Sequence, residues 1–165
     1  MINVSGFGTG VTIVALQTFP MGFSVSQFAD DVDPIEAKEI APIGFEILYD
    51  GSLFSYDKGA AIEVKIGVIA GSDDDINLKT LLQVKKGTVS ILPISDVTTM
   101  VVTYPDGGRV ILSNGTIFAG PFLDSIQASG RKKGNVYSFA FGSFLGAQSA
   151  TELVAGLASS ALSLL

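Results

Sequence analysis

Four groups of side chains have the types and spacing that chemistry could use. Asp30-Asp31-Val32-Asp33 and Asp73-Asp74-Asp75 offer carboxylate oxygens, the ligands that Ca2+ and Mg2+ prefer. Gly6-x-Gly8-x-Gly10 has the glycine spacing of a phosphate-cradling loop, and Arg131-Lys132-Lys133 is the one basic run. Each has a plainer account. Neither acidic cluster has the spacing or the later glutamate of an EF-hand loop, and the second sits where a helix N-terminus favours negative charge. The glycines follow only five residues and lead into Val11-Thr12-Ile13-Val14, a strand, whereas a dinucleotide fingerprint needs a strand before and a helix after. The basic run lies between Gly130 and Gly134 and reads as a solvated hairpin turn. With a net charge of −6 the chain has no electrostatic footprint for gripping nucleic acid.

The remaining inventory excludes more. The 165 residues include no Cys, no His and no Trp. That removes disulfide frameworks, Cys/His metal sites, His- or Cys-held haem and any His-dependent nucleophile. A hydrolase using paired carboxylates survives by residue type, but nothing in the spacing brings two carboxylates into an aromatic cleft. The expectation is a protein that is not an enzyme and uses no cofactor and no metal. Charged residues are 16%, below the roughly 25% of ordinary domains, and 47% of the chain is hydrophobic. Such a composition fits subunits that cover much of one another. The first 29 residues carry no charge but also lack the basic region and cleavage site of an export signal, so the expectation is use without export. The apolar tract Leu153–Leu165 is too short to span a bilayer, and no membrane span is expected.

Charge is uneven along the chain. Residues 30–75 hold 12 acidic and 3 basic side chains, while residues 76–165 hold 4 acidic and 7 basic. An acidic part and a mildly basic part suit head-to-tail contacts between copies, or simply a solvated acidic loop.

The elements that must position these groups are mostly strands, seven to nine of them. Val11–Phe19 and Phe23–Phe28 flank a turn at Phe19-Pro20-Met21-Gly22. In Ala61–Ile69, Ile62, Val64, Ile66 and Val68 alternate with Glu63 and Lys65, the pattern of a half-buried strand. Val97–Tyr104 and Arg109–Leu112 are joined by Pro105-Asp106-Gly107-Gly108, and Ser113-Asn114-Gly115 makes a further turn before Thr116–Ala119. Val136–Phe141 alternates again. One helix is well signalled: Ser72 as N-cap, three aspartates in the first turn, an apolar stripe of Leu78, Leu81 and Leu82, then Lys85 and Lys86 before Gly87. A second helical stretch, 148–165, has one charge, Glu152, and must be buried against its own domain or a neighbour. The segment 30–58 is a long loop with only a short β-like piece at Phe45–Tyr49, and its apolar content implies docking. The fold class is mainly β with α: an antiparallel β-barrel or sandwich flanked by one helix, with a long docking loop and a C-terminal apolar helix, all in a single domain over 1–165.

Three stretches together resemble the tail tube proteins of contractile bacteriophages. They are Asp50–Gly59 (DGSLFSYDKG) leading into Ala61–Asp75 (AIEVKIGVIAGSDDD) and the helix Ile76–Val84; Val97–Gly107 (VTTMVVTYPDG) with its return strand; and Gly130–Gly134 (GRKKG) followed by Val136–Phe141 (VYSFAF). The resemblance covers roughly residues 45–142. It implies a structural virion protein whose homohexameric rings stack by self-assembly into the hollow inner tube of a contractile tail. Phage DNA would pass through the lumen without specific binding during genome ejection. The implied partners are further copies, tail sheath, and baseplate or tail terminator proteins, in a virion tail assembled in the bacterial host cytoplasm. Loop 30–58 would join rings, with Asp30, Asp31, Asp33, Glu36, Glu39, Ile40, Ile43 and Phe54 as contact candidates together with Arg131, Lys132 and Lys133. Glu63 and Lys65 would face the lumen or a partner. Two alternatives stay open: a small receptor- or carbohydrate-binding β-sandwich of a viral appendage, and the tube of a contractile secretion system.

Overall fold

The computed structural model describes residues 6, 8–87, 96–105, 107–145 and 162. In chain order these form β1 (Gly10–Ala15), β2 (Phe19–Val25), β3 (Ile35–Ala37), β4 (Ile43–Ile47), β5 (Leu53–Asp57), β6 (Ile62–Val68), α1 (Asp73–Lys86), β7 (Thr98–Thr103), β8 (Arg109–Ala119) and β9 (Asn135–Leu145). Seven strands make one antiparallel sheet in the order β2-β1-β7-β8-β9-β6-β3, while β4 and β5 pair only with each other. The sheet curls into a half-barrel. Residues just after β2 return to β6, where Ala29 N–H donates to Gly67 O and Ile69 N–H to Gln27 O, each at 3.0 Å. The mainly-β fold with a flanking helix is the one the sequence implied.

Alternation builds the core. Val64, Ile66 and Val68 of β6 point inward with Tyr137, Phe139 and Phe141 of β9, beside Val11, Ile13, Met100, Val102, Leu112 and Ile117. Leu78, Leu81 and Leu82 of α1 close one end. The helix starts and stops as its caps dictate: Ser72 Oγ accepts from Asp75 N–H at 3.2 Å, and Gly87, at φ +75°, donates to Gln83 O. The Pro105–Gly108 turn also forms, closed by Tyr104 N–H on Gly108 O at 2.8 Å.

Three local expectations need correction. The first turn lies at Leu16–Thr18, not at Phe19–Gly22, and Pro20 and Gly22 fall inside β2. β2 is an edge strand, where Pro is tolerated, and Asp96 fixes the turn from far along the chain. Its carboxylate accepts from the backbone N–H of Gln17 at 2.9 Å and of Thr18 at 3.0 Å, and from the Thr18 hydroxyl at 2.6 Å. Second, Ser113-Asn114-Gly115 is not a turn. β8 runs through it, with Asn114 at φ +56° and a slip in the β7–β8 register between Thr98 and Met100. Gly115 is required there because the Phe141 ring occupies the space of a Cβ, 2.2 Å from the nearest ring carbon. Third, segment 30–58 carries three strands rather than one short β-like piece: β3 docks on β6, and β4–β5 form a hairpin. The second helical stretch, 148–165, lies outside the described residues except for Leu162.

Candidate functional site

The hairpin β4–β5 is the most exposed apolar element described. The registers Phe45↔Ser55 and Ile47↔Leu53 place Ile43, Phe45, Ile47 and Leu53 on one face, with Phe45 70% and Ile47 68% exposed. On the other face the Tyr56 ring lies over Gly44 and stacks with Phe54, centroids 5.9 Å apart. The base is closed by Lys58 N–H on Pro42 O at 2.8 Å. The tip is closed by Leu48 N–H on Ser52 O at 2.8 Å, with Gly51 at φ +86°. A two-stranded hairpin alone is marginal in water, and a monomer seldom exposes this much contiguous apolar surface without a use for it.

A second apolar surface is the end of the half-barrel away from α1. A groove of about 340 Å3 opens there, with Val64, Val102 and Leu112 in its floor and Ile40, Tyr104 and Phe144 at its exposed rim. Lys38 is the charged side chain among its lining residues.

The opposite end is held by a polar hub. Asp75 is fully buried; its Oδ1 accepts from Tyr137 Oη at 2.6 Å and Asn135 Nδ2 at 2.9 Å. Its Oδ2 accepts from Gly71 N–H at 3.0 Å and pairs with Lys79 at 3.2 Å. Burial alone would raise the Asp75 carboxyl, but these donors outweigh it and hold it below the ordinary value. Burial and the Asp75 charge push the Tyr137 phenol well above its usual range. Lys79 also pairs with Asp124, which Asn135 and Lys132 contact in turn, and these donors hold the Asp124 carboxyl far down. Asp74 Oδ2 accepts from Ser26 and Gln27 N–H, each at 2.9 Å. The Asp73–Asp75 cluster is thus a helix cap and a clamp. Among the described residues no group of three or more possible metal ligands is assembled, and no buried side-chain nitrogen or oxygen lacks a partner.

The sequence candidates fall into separate groups. Asp30 pairs with Arg131, and Asp31 accepts from Gln127 Nε2 and Gly134 N–H, each at 3.0 Å. Lys132 sits on Asp124 at 3.1 Å, while Lys133 is exposed. Part of the acidic–basic asymmetry is therefore answered within one chain. Asp33, Glu36 and Glu39 are exposed, and Glu36 lies opposite Lys65 in the β3–β6 register. Glu63 pairs with Lys38 at 2.8 Å, and Lys65 is exposed. Ile40 lines the groove, whereas Ile43 and Phe54 lie on opposite faces of the hairpin. Sequence reasoning missed Phe45, Ile47 and Leu53 as one face of a hairpin with Tyr56 on the other, and Asp75, Asp96 and Asp124 as hubs. Apolar residues alternating with others on both sides of Tyr49-Asp50-Gly51 were the available signal for the hairpin.

Residues 2–145 match the family described as tail fiber protein gp32. The chain belongs to that family. No curated protein matches the sequence. Among solved structures, the gp32-family fold is similar to a chain of the anti-feeding prophage (AFP) baseplate, 6-fold symmetrised. The identity there is 12% and the TM-score 0.53, covering 90% of this chain and 98% of that one. It is also similar to a chain in the structure of an extracellular contractile injection system, PVC sheath/tube terminator in extended state. That match has 10% identity and TM-score 0.52, covering 88% of this chain and 96% of the other. At these identities the likeness is one of fold.

Proposed function

We propose that this gp32-family chain assembles with copies of itself into hexameric rings. The rings stack, as tube or as a terminal ring, around a lumen through which phage DNA passes unbound. The observation that carries this reading is the β4–β5 hairpin, which exposes large apolar side chains on both faces and pairs with no other described strand. Inserted against a neighbouring copy, it buries surface that a lone subunit leaves in water, and a heterologous contact of that kind closes into a ring when its rotation allows. A net charge of −6 suits a wall that DNA must slide past. The baseplate and terminator structures that share the fold, nearly whole chain against whole chain, support a place at the end of a tube beside sheath and baseplate proteins. Under this reading the protein works by shape in the virion tail, without catalysis.

A second reading is favoured by the family description as a tail fiber protein and by the aromatic residues Phe45, Phe54 and Tyr56 on the hairpin: a receptor- or carbohydrate-binding module. Sedimentation velocity separates the two. The first predicts large assemblies of the native chain and their loss in Phe45→Ser/Ile47→Ser, with the fold retained. Saturable glycan binding by a native chain that stays monomeric at high concentration would overturn it in favour of the second.

A further inference from the structure

We infer that the cleft between the last turn of α1 and β8 receives the β4–β5 hairpin of a second copy, with Glu46 of the incoming hairpin set against Lys85 and Lys86. The inference rests on assembly through the hairpin and names the surface that meets it.

Charge carries the argument. Much of the acidic–basic asymmetry is answered inside one chain, by Asp30 with Arg131, Glu63 with Lys38, and Asp75 and Asp124 with Lys79 and Lys132. Among the described residues Lys85 and Lys86 are the one adjacent pair of cations left without an ion pair. Lys86 lies instead over the Phe122 ring, 5.4 Å from its centroid. The helix dipole favours lysines at this end, but it does not account for the rings beside them, Phe118 and Phe122, which are 50% and 47% exposed. On the hairpin, Glu46 is exposed and joins no ion pair among the described residues.

The two surfaces match in shape as well as sign. The cleft is about 400 Å3, with buried Leu82 and Ile117 beneath Lys85, Lys86, Phe118 and Phe122. The register of the hairpin sets Glu46 opposite Phe54 and Gly44 opposite Tyr56, so one face presents a carboxylate with two exposed rings. The cleft presents two ammonium groups with two exposed rings over an aliphatic floor. Docking pairs the carboxylate with the lysines and covers all four rings. The groove at the other end lacks this complement, because its Lys38 is already held by Glu63 at 2.8 Å. Hairpin and cleft are different surfaces, so the contact is head-to-tail and propagates until a ring closes.

Charge exchange tests the pairing. In the full chain, Lys85→Glu/Lys86→Glu should weaken association about tenfold or more in sedimentation velocity, and so should Glu46→Lys. Mixing the two variants should restore assembly, because each then offers the other an opposite charge. Native-like association of either variant alone, or a mixture that assembles no better, would overturn the inference. Cross-linking gives an independent reading, since the native sequence has no Cys. Oxidised Glu46→Cys/Lys86→Cys is expected to give a ladder of interchain disulfides on a denaturing gel. Ser55→Cys/Lys86→Cys, with the first thiol on the other face of the hairpin, is expected to run as monomer. Native assembly without the 46–86 ladder, or with equal linking from 55, would overturn the seat and leave assembly through the hairpin standing. A native chain that stays a single subunit would overturn both. Should the glutamate pair at the helix end unfold the chain, the cysteine pairs still decide.

Discussion

Replacing Tyr137 by Phe deletes one hydroxyl and keeps the ring in the core. That hydroxyl donates to Asp75 Oδ1 at 2.6 Å, and both residues are sealed from solvent. A hydrogen bond to a charged group contributes about 1.5–3 kcal/mol. In the variant Asp75 keeps Asn135 on the same oxygen and Gly71 and Lys79 on the other, so no lone pair is stranded completely. The expected loss lies in the lower part of that range, about 1.5–2 kcal/mol, and the near-isosteric change adds little cavity cost. At a urea m-value of about 2 kcal/mol per molar, the unfolding midpoint should drop by about 0.7–1 M. The effect depends on pH in a definite direction. Asp75 is held below its ordinary value, so its contribution is present above the unfolded value of about 4 and is lost as pH falls through the folded one. The gap between native chain and variant should therefore be full near neutrality and shrink in acid. Urea unfolding followed by circular dichroism, at pH 7 and stepwise downward, measures both. A loss under about 0.5 kcal/mol at pH 7, or a gap that does not change in acid, would refute an ionised Asp75 as the acceptor that anchors α1 to β9.

Other consequences are as direct. Gly115→Ala forces a Cβ against the Phe141 ring and should cost about 1–3 kcal/mol in denaturant titration, with a shift in Phe141 packing visible by NMR. Asp96→Ala strands the Gln17 and Thr18 amides and should cost about 1–3 kcal/mol, with exchange at residues 16–18 speeding more than at β9. The native chain should show a stability plateau that falls on both sides. On the acid side Asp75, Asp96 and Asp124, all depressed, lose their contributions below about pH 4. On the alkaline side Tyr137 and Lys79, both raised, lose theirs as pH climbs past about 10, which a thermal-melt series across pH would record. Val64→Asp places an unpaired charge at a position 4% exposed in the core and should prevent folding, read as loss of the circular-dichroism transition.

What the chain revealed before folding was whatever local physics decides. The alternation in Ala61–Ile69 and Val136–Phe141 is a period-2 signal tied to one core; both segments became strands, the first with Val64, Ile66 and Val68 on its inner face. α1 carries its caps and dipole charges within its own residues, so its limits were readable. The misread places were fixed from afar. The turn at Leu16–Thr18 is set by Asp96, 78 residues beyond Thr18, and no local pattern announces it. Asn114-Gly115 has turn chemistry in isolation, but Phe141 from β9 claims the space over Gly115, and the strand runs on through a slip in the β7–β8 register. The hairpin escaped because its apolar residues face no core of this chain. Charge patterning showed two unlike parts of the sequence but not that Asp30 and Arg131, or Asp75 and Lys79, join them within one subunit. Deleting 33–43 would accordingly remove β3 along with any contact, so substitutions in the hairpin are the cleaner probe of assembly.

The central claim is that copies assemble through the exposed hairpin into rings. Electron micrographs of the purified full-length protein at high concentration test it most directly. The account predicts closed rings, six-fold in projection, or stacks of them, absent in Phe45→Ser/Ile47→Ser. Uniform single subunits in the native sample, or rings undiminished in the variant, would contradict it.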